Sequence, residues 1–206
     1  QKLLELKPHI ETWDIIRLDY VYSHDEKDQP VLVLPRERIV KNCDHIKWHD
    51  PIHEYMNLDV PAHKINRTKI RIDHYRMSSH NPARNIEALK KVYESKNCSE
   101  RVKFYYGKEL ADYGMWDKAV SVLEPYIKDG KDFHDNLTNA CIRLARYYIE
   151  KKDYAAAKTY ALKGVRFNSI YAENYVILGT IFEYENDPDT AAAYYKEALN
   201  KKLEGG

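Results

Sequence analysis

Small residues that recur at fixed offsets through the last hundred positions constrain this chain more than any other feature. Gly107, Ala145 and Gly179 each follow a large residue, Tyr106, Leu144 and Leu178, and the steps between them are 38 (145 − 107) and 34 (179 − 145). Leu110, Tyr148 and Phe182 come three residues after the small position, and Ala119, Ala157 and Ala191 come twelve after it. Leu123, Ala161 and Tyr195 follow four residues later. A small side chain at such an offset lets the two helices of a hairpin approach closely, and a unit of this length buries its apolar face against its neighbours. The pattern therefore predicts three helix pairs over residues 100–200, an array suited to contact rather than to chemistry.

Charge narrows the partners. Lys and Arg number 33 against 32 Asp and Glu, so no net field draws the chain to nucleic acid or to an anionic membrane. No apolar run approaches the roughly 20 residues that span a bilayer, and no signal-peptide succession opens the sequence, so a cytoplasmic protein is expected. Cys43, Cys98 and Cys141 are widely spaced without a CxxC, which reads as reduced thiols rather than a disulfide framework or a zinc knuckle. The 18 tyrosines fall mostly at helical spacing in the C-terminal half, where packing with a wet hydroxyl edge is their default role. The start at Gln1, directly in helical sequence, suggests that an N-terminal part is absent.

The first eighty residues read as β-rich. A short helix over 2–10 precedes a strand over 14–23, with Ile16, Leu18, Tyr20 and Tyr22 on one face. After the polar turn 24–30, a second strand over 31–41 places Arg36 and Arg38 on the face of Leu34 and Val40, and the two strands form a hairpin. An extended segment over 46–56 is interrupted by Pro51, and another over 69–77 puts Ile70, Ile72, His74 and Arg76 on a common face. Asn81 and Pro82 then start a helix, as cap and first helical residue, that carries Ile86, Leu89 and Tyr93 and ends near Asn97.

Arginines, histidines and glutamates crowd residues 31–55, in strand-like sequence where a solvated face would need none. His45, His49 and His53 recur every four residues, but Pro51 and the strand-favouring Ile46, Trp48 and Ile52 prevent them from converging as helical zinc ligands. Arg36 and Arg38, with Arg76 two residues after His74, are of the type that grips a diphosphate, because guanidinium forks match phosphate oxygens in bidentate geometry. A salt-bridged sheet surface, with Glu37 and Glu54 as partners, explains the same residues. Asp187-Pro188-Asp189 has the letters of a metal-binding pair, yet its place between helices suits a helix start.

The order RERIV, IKWHDPIHEY, IRIDHYR, a proline-started helix with RN, and FYYGKEL resembles the C-terminal half of family 2 glycosyltransferases that carry tetratricopeptide repeats. That group includes bacterial peptide S-glycosyltransferases. The 34-residue step is the tetratricopeptide period. The resemblance implies an α+β chain: a C-terminal fragment of a GT-A domain over 1–80, a connecting helix over 81–98 and three tetratricopeptide-like repeats over 99–206. It implies an inverting glycosyltransferase that moves a sugar from a nucleotide-diphosphate sugar, held with a divalent metal (Mn or Mg), to a peptide, protein or glycan acceptor. Glu54 would be the general base and His53 its orienting partner; His74 would join the metal shell; Arg36, Arg38 and Arg76 would stabilise the leaving diphosphate. The nucleotide-binding half with its Asp-x-Asp motif is missing from the sequence, so the 206-residue chain alone is expected to be inactive.

The alternative is a tetratricopeptide-repeat adaptor that binds a peptide or protein partner without catalysis. In such grooves the first helix of each pair lines a concave face, which makes Lys103, Lys108, Asn139, Arg143, Arg146 and Asn174 the candidate contacts. Aromatic edges such as Tyr194 and Tyr195 suit self-association into a homo-oligomer. A hydrolase reading pairs Glu54 with Asp50, Asp59 or Asp73, none favoured by spacing.

Overall fold

The computed structural model describes residues 4–44, 46–57, 64–75, 82–95 and 98–201. The chain folds as two compact units, Gln1–Asn81 and Pro82–Gly206.

The first unit opens with a 3-10 helix, Leu4–Thr12, with Pro8 inside it, where a short helix over 2–10 was expected. Proline has no N–H to donate and disrupts the α-helical ladder, which fits the tighter winding. Strands β1 (Ile15–His24), β2 (Pro30–Val40) and β5 (Ile65–Asp73) form a sheet in the order β2-β1-β5. Strand β1 pairs antiparallel with β2, as the hairpin reading requires, and parallel with β5. The expected face of β1 needs correction. Ile15, Ile16, Leu18 and Val21 are buried, whereas Tyr22 is exposed. The register between β1 and β2 shifts between Val21 and Ser23, and such a bulge breaks the period-2 alternation. Strand β5 begins four residues before the predicted start at Lys69, because pairing with β1, not apolar alternation, holds Ile65 to Lys69 in the sheet. Strands β3 (Lys47–His49) and β4 (Tyr55–Asn57) make a separate two-stranded ribbon, with Pro51 in its connection.

The second unit is helical. Helix α1 (Pro82–Tyr93), expected as a connector, belongs to this unit and buries Leu89 completely. Three helix pairs follow: α2 (Glu100–Asp112) with α3 (Trp116–Asp129), α4 (His134–Glu150) with α5 (Tyr154–Phe167), and α6 (Ala172–Tyr184) with α7 (Pro188–Ala198). Their starts follow local chemistry. Ser99 caps α2 by accepting from the Val102 N–H, and Asp153 and Asp187 do the same for α5 and α7. Asp187-Pro188 is a helix start, as its position suggested.

The sequence offsets become contacts. A methyl group added at Gly107 would fall 2.6 Å from Leu123 Cγ, and one at Gly179 would fall 2.5 Å from the Tyr195 ring. The small residue of each first helix thus receives the side chain sixteen positions later on the second. In the middle pair both members are small, and Ala145 and Ala161 are fully buried in one cluster with Ile142, Leu178 and Ile181. First helices also pack on one another, α2 on α4 and α4 on α6, which stacks the pairs into an array.

Candidate functional site

The residues singled out in the first unit divide between two places. Arg36 lies opposite Leu18 in the β1–β2 register. The register passes from Ile16–Ile39 to Arg17–Glu37, which leaves Arg38 as the extra residue of a bulge. The Arg38 guanidinium lies 4.4 Å from the centre of the Tyr20 ring. His74 stacks against the same ring at 5.7 Å, held just beyond β5 by its backbone N–H donating to the Val21 carbonyl at 3.1 Å. Two of the expected donor-site residues therefore meet on Tyr20. Glu37 pairs with Arg17 at 2.9 Å, not with Arg36 or Arg38. His53 and Glu54 are exposed in the connection between β3 and β4, where His53 takes a left-handed φ of 58°. Arg76 lies outside the described residues, as do His45 and Asp59. Among the described residues, no three His, Cys, Asp or Glu side chains gather into a metal-holding group.

Sequence reasoning did not find the ionic cluster at the end of the sheet. Asp73 accepts from His24 Nε2 and from Arg71 Nε, each at 3.0 Å. The His24 hydrogen bond, with Arg71 adding to it, holds the Asp73 carboxyl below its ordinary range. Tyr75 stacks on His24 at 4.9 Å and donates to Asp28 at 3.2 Å. A structural role for Asp73 is accordingly favoured over the acid of a hydrolase.

In the helical unit the first helices line a cavity of about 260 Å³ between α2 and α4. Phe104, Tyr105, Ile142 and Tyr171 give it apolar walls, and Lys108 and Asn139 stand among its polar lining. Beside it runs a chain of charged hydrogen bonds. Lys108 donates to Asp112 at 2.8 Å, Arg143 donates to the same carboxylate, and Arg143 Nε donates to Asn139 Oδ1 at 2.9 Å. Partial burial pushes the Asp112 pKa up, but Lys108 and Arg143 outweigh it and hold the carboxyl below its ordinary range. Asp112 was not anticipated, although its place four residues after Lys108 on a helix was a legible signal.

The six expected partner contacts do not share one fate. Lys108 and Asn139 line the cavity, Arg143 braces Asn139, and Arg146 is exposed one turn further along α4. Lys108 and Arg146 each follow the small residue of their repeat. Lys103 is tied to Glu100 at 2.6 Å. Asn174 corrects the expectation, since it is fully buried and neither amide atom has a hydrogen-bond partner. It sits against Gly164 of α5, where an added methyl would lie 2.8 Å from Asn174 Cγ. Tyr194 and Tyr195 are also turned inward: Tyr194 stacks on Phe182 at 5.4 Å, and Tyr195 donates to Glu183 at 2.8 Å.

Residues 138–170 and 172–200 match the tetratricopeptide repeat family, so the chain carries tetratricopeptide repeats in α4–α5 and α6–α7. The two matches start 34 residues apart (172 − 138), the step read from the small residues. No curated protein sequence matches the chain. Similar solved structures include a crystal structure of MamA, 22% identical with a TM-score of 0.49, which covers 57% of this chain and 66% of that one. A second MamA structure has 22% identity and a TM-score of 0.48, with 55% and 60% covered. In both, the match spans less than two thirds of the other chain. The second tetratricopeptide domain of Spaghetti (RPAP3), bound to an HSP90 peptide, is 14% identical with a TM-score of 0.41, over 57% of this chain and 94% of that one. No helix among the described residues is long and apolar enough to cross a membrane.

Proposed function

We propose that the helical unit is a protein-interaction module that holds a peptide segment of its partner in the cavity between α2 and α4. One observation carries the reading: first helices of successive repeats enclose apolar walls of Phe104, Tyr105, Ile142 and Tyr171 beside the donors of Lys108 and Asn139. An apolar side chain of the peptide fills the walls, and its backbone carbonyls accept from Lys108 and Asn139. Arg143 is already engaged by Asp112 and Asn139, so it presets the Asn139 amide and is not itself a contact. The Asp112 carboxylate serves the same end by fixing Lys108. The test is selection of peptide ligands by the full chain, followed by titration of Tyr105→Ala and Lys108→Ala. Each variant is expected to weaken binding by about tenfold with unchanged circular dichroism. Equal binding by wild type and both variants would place the ligand elsewhere.

A second reading is enzymatic. In it, the first unit is the C-terminal part of a metal-dependent, inverting family 2 glycosyltransferase that uses a nucleotide-diphosphate sugar, and the repeats hold the peptide or glycan acceptor. The approach of Arg38 and His74 to one face of the sheet around Tyr20 favours it. Glu54 would act as base from the β3–β4 connection. The longest natural form of the polypeptide is expected to turn over a nucleotide-sugar with Mn or Mg and to lose orders of magnitude in Glu54→Gln and His74→Ala. Full activity in both variants would end this reading.

A further inference from the structure

A second cavity, of about 300 Å³, lies at the C-terminal ends of α3 and α5, and its lining of Ile127, Lys128, Lys163, Arg166 and Phe167 contains no acidic side chain. Six cations elsewhere in the helical unit, Lys90, Lys103, Lys108, Arg143, Lys158 and Lys201, each rest on a carboxylate. Lys128, Lys163 and Arg166 form no ion pair among the described residues. Two acidic residues close to Lys128 in sequence, Glu124 and Asp132, are engaged elsewhere. Glu124 accepts from Tyr148 at 2.9 Å and Tyr160 at 2.7 Å, and Asp132 accepts from Tyr126 at 2.8 Å and Asn136 at 3.0 Å. Lys128 and Arg166 occupy last helical turns, where a cation complements the helix dipole. Lys163 stands a turn earlier and has no such role. It is half-buried, and its ammonium lies 5.2 Å from the centre of the Tyr160 ring.

We propose that this cavity is a binding site for a phosphate monoester with a small apolar or aromatic body. Three cations without an ion pair among the described residues border one space, which favours a dianion over a single carboxylate, and the Arg166 fork suits phosphate oxygens. Ile127 is buried and Phe167 half-buried, so together they supply an apolar floor beside the cations. The Phe167 ring also rests 3.9 Å from where a methyl on Gly130 would stand, at the left-handed end of α3, so the floor is fixed by both helices.

The test is magnetic-resonance shift mapping on the full chain with phenyl phosphate, inorganic phosphate and benzyl alcohol. Phenyl phosphate is expected to shift the amides of residues 127–131 and 163–167, with inorganic phosphate binding more weakly and benzyl alcohol leaving them unchanged. Lys163→Gln and Arg166→Gln are each expected to weaken phenyl phosphate by about tenfold, the value of one charge-assisted hydrogen bond. Lys152→Gln, a surface cation outside the cavity, is expected to bind as wild type does. Absence of shifts, shifts that map instead to the α2–α4 cavity, or equal phosphate binding by wild type and both cavity variants would overturn the proposal.

Discussion

The two units of this chain bury their apolar residues in different ways. In the sheet unit, among the described residues, full burial is confined to the central strand: Ile15, Ile16, Leu18 and Val21 all lie on β1. Its neighbour β2 leaves Val31, Leu32, Val33 and Leu34 exposed in succession. In the helical unit every helix contributes buried side chains, and each first helix receives a residue from the second at a fixed distance along the chain. A three-stranded sheet has one inner strand and two edges, so strand pairing alone covers little surface. A helix hairpin covers a face within forty residues or so, and its neighbour covers the next. Local repetition thus builds a core that a small sheet must borrow from another layer.

The largest expected effect tests that contrast directly. Leu123→Ala empties the position that fills the space above Gly107 and is expected to cost about 3 kcal/mol in urea unfolding of the helical unit. A loss under 1 kcal/mol would mean that α2 and α3 collapse onto each other without it. Gly164→Ala is expected to cost about 1–3 kcal/mol, because its methyl would meet the buried Asn174 amide. Most of that loss should return in the Gly164→Ala, Asn174→Ala pair, and a double-mutant cycle without coupling would show that Asn174 already moves aside.

A smaller effect concerns the tyrosines that bind repeats together. Tyr148 and Tyr160 stack at 5.6 Å and both donate to Glu124 of the preceding pair. Burial, then the Glu124 hydrogen bond, pushes Tyr148 up to about 12 and Tyr160 further still. A phenol whose pKa is raised by folding contributes stability that is complete below its unfolded value of 10.0 and is lost as pH rises through the folded value. Stability of the helical unit is therefore expected to hold to pH 9 or so and to decline above about pH 10, where unfolded tyrosine ionises. Glu124→Gln should lessen that decline, which alkaline unfolding followed by circular dichroism would read. The smallest effect is expected in the sheet: Leu34→Ala, at a residue 44% exposed, should change stability by no more than about 0.5 kcal/mol. A larger cost, seen as faster hydrogen exchange of β1 amides, would show that β2 is covered after all.

Legibility followed the same division. The helix pairs were visible because packing between helices of one hairpin obliges particular residues at particular spacings, so Gly107 and Leu123 could be matched without coordinates. The helix start at Asp187-Pro188 was equally local. In the sheet unit, alternation located β1 and β2 but misplaced Tyr22, because a bulge is a property of the partner strand as much as of β1. Candidate sites were least legible. Lys108 and Asn139 were named as contacts, yet Asn174, which shares their helix class, is buried, since orientation on a helix depends on which neighbours surround it.

Sequence by itself determined the repeat period, the helical hairpins, the β-rich character of the first eighty residues and the near-neutral charge. These rest on interactions between residues close along the chain, or on composition. Tertiary structure alone decided that β5 runs parallel to β1, that Arg38 and His74 meet on Tyr20, that Arg143 of α4 reaches Asp112 of α2, and that Glu124 receives two tyrosines. Each joins residues from separate elements. Such contacts are set by which faces are left to pair once local structure has formed, and no spacing in a single sequence encodes that choice.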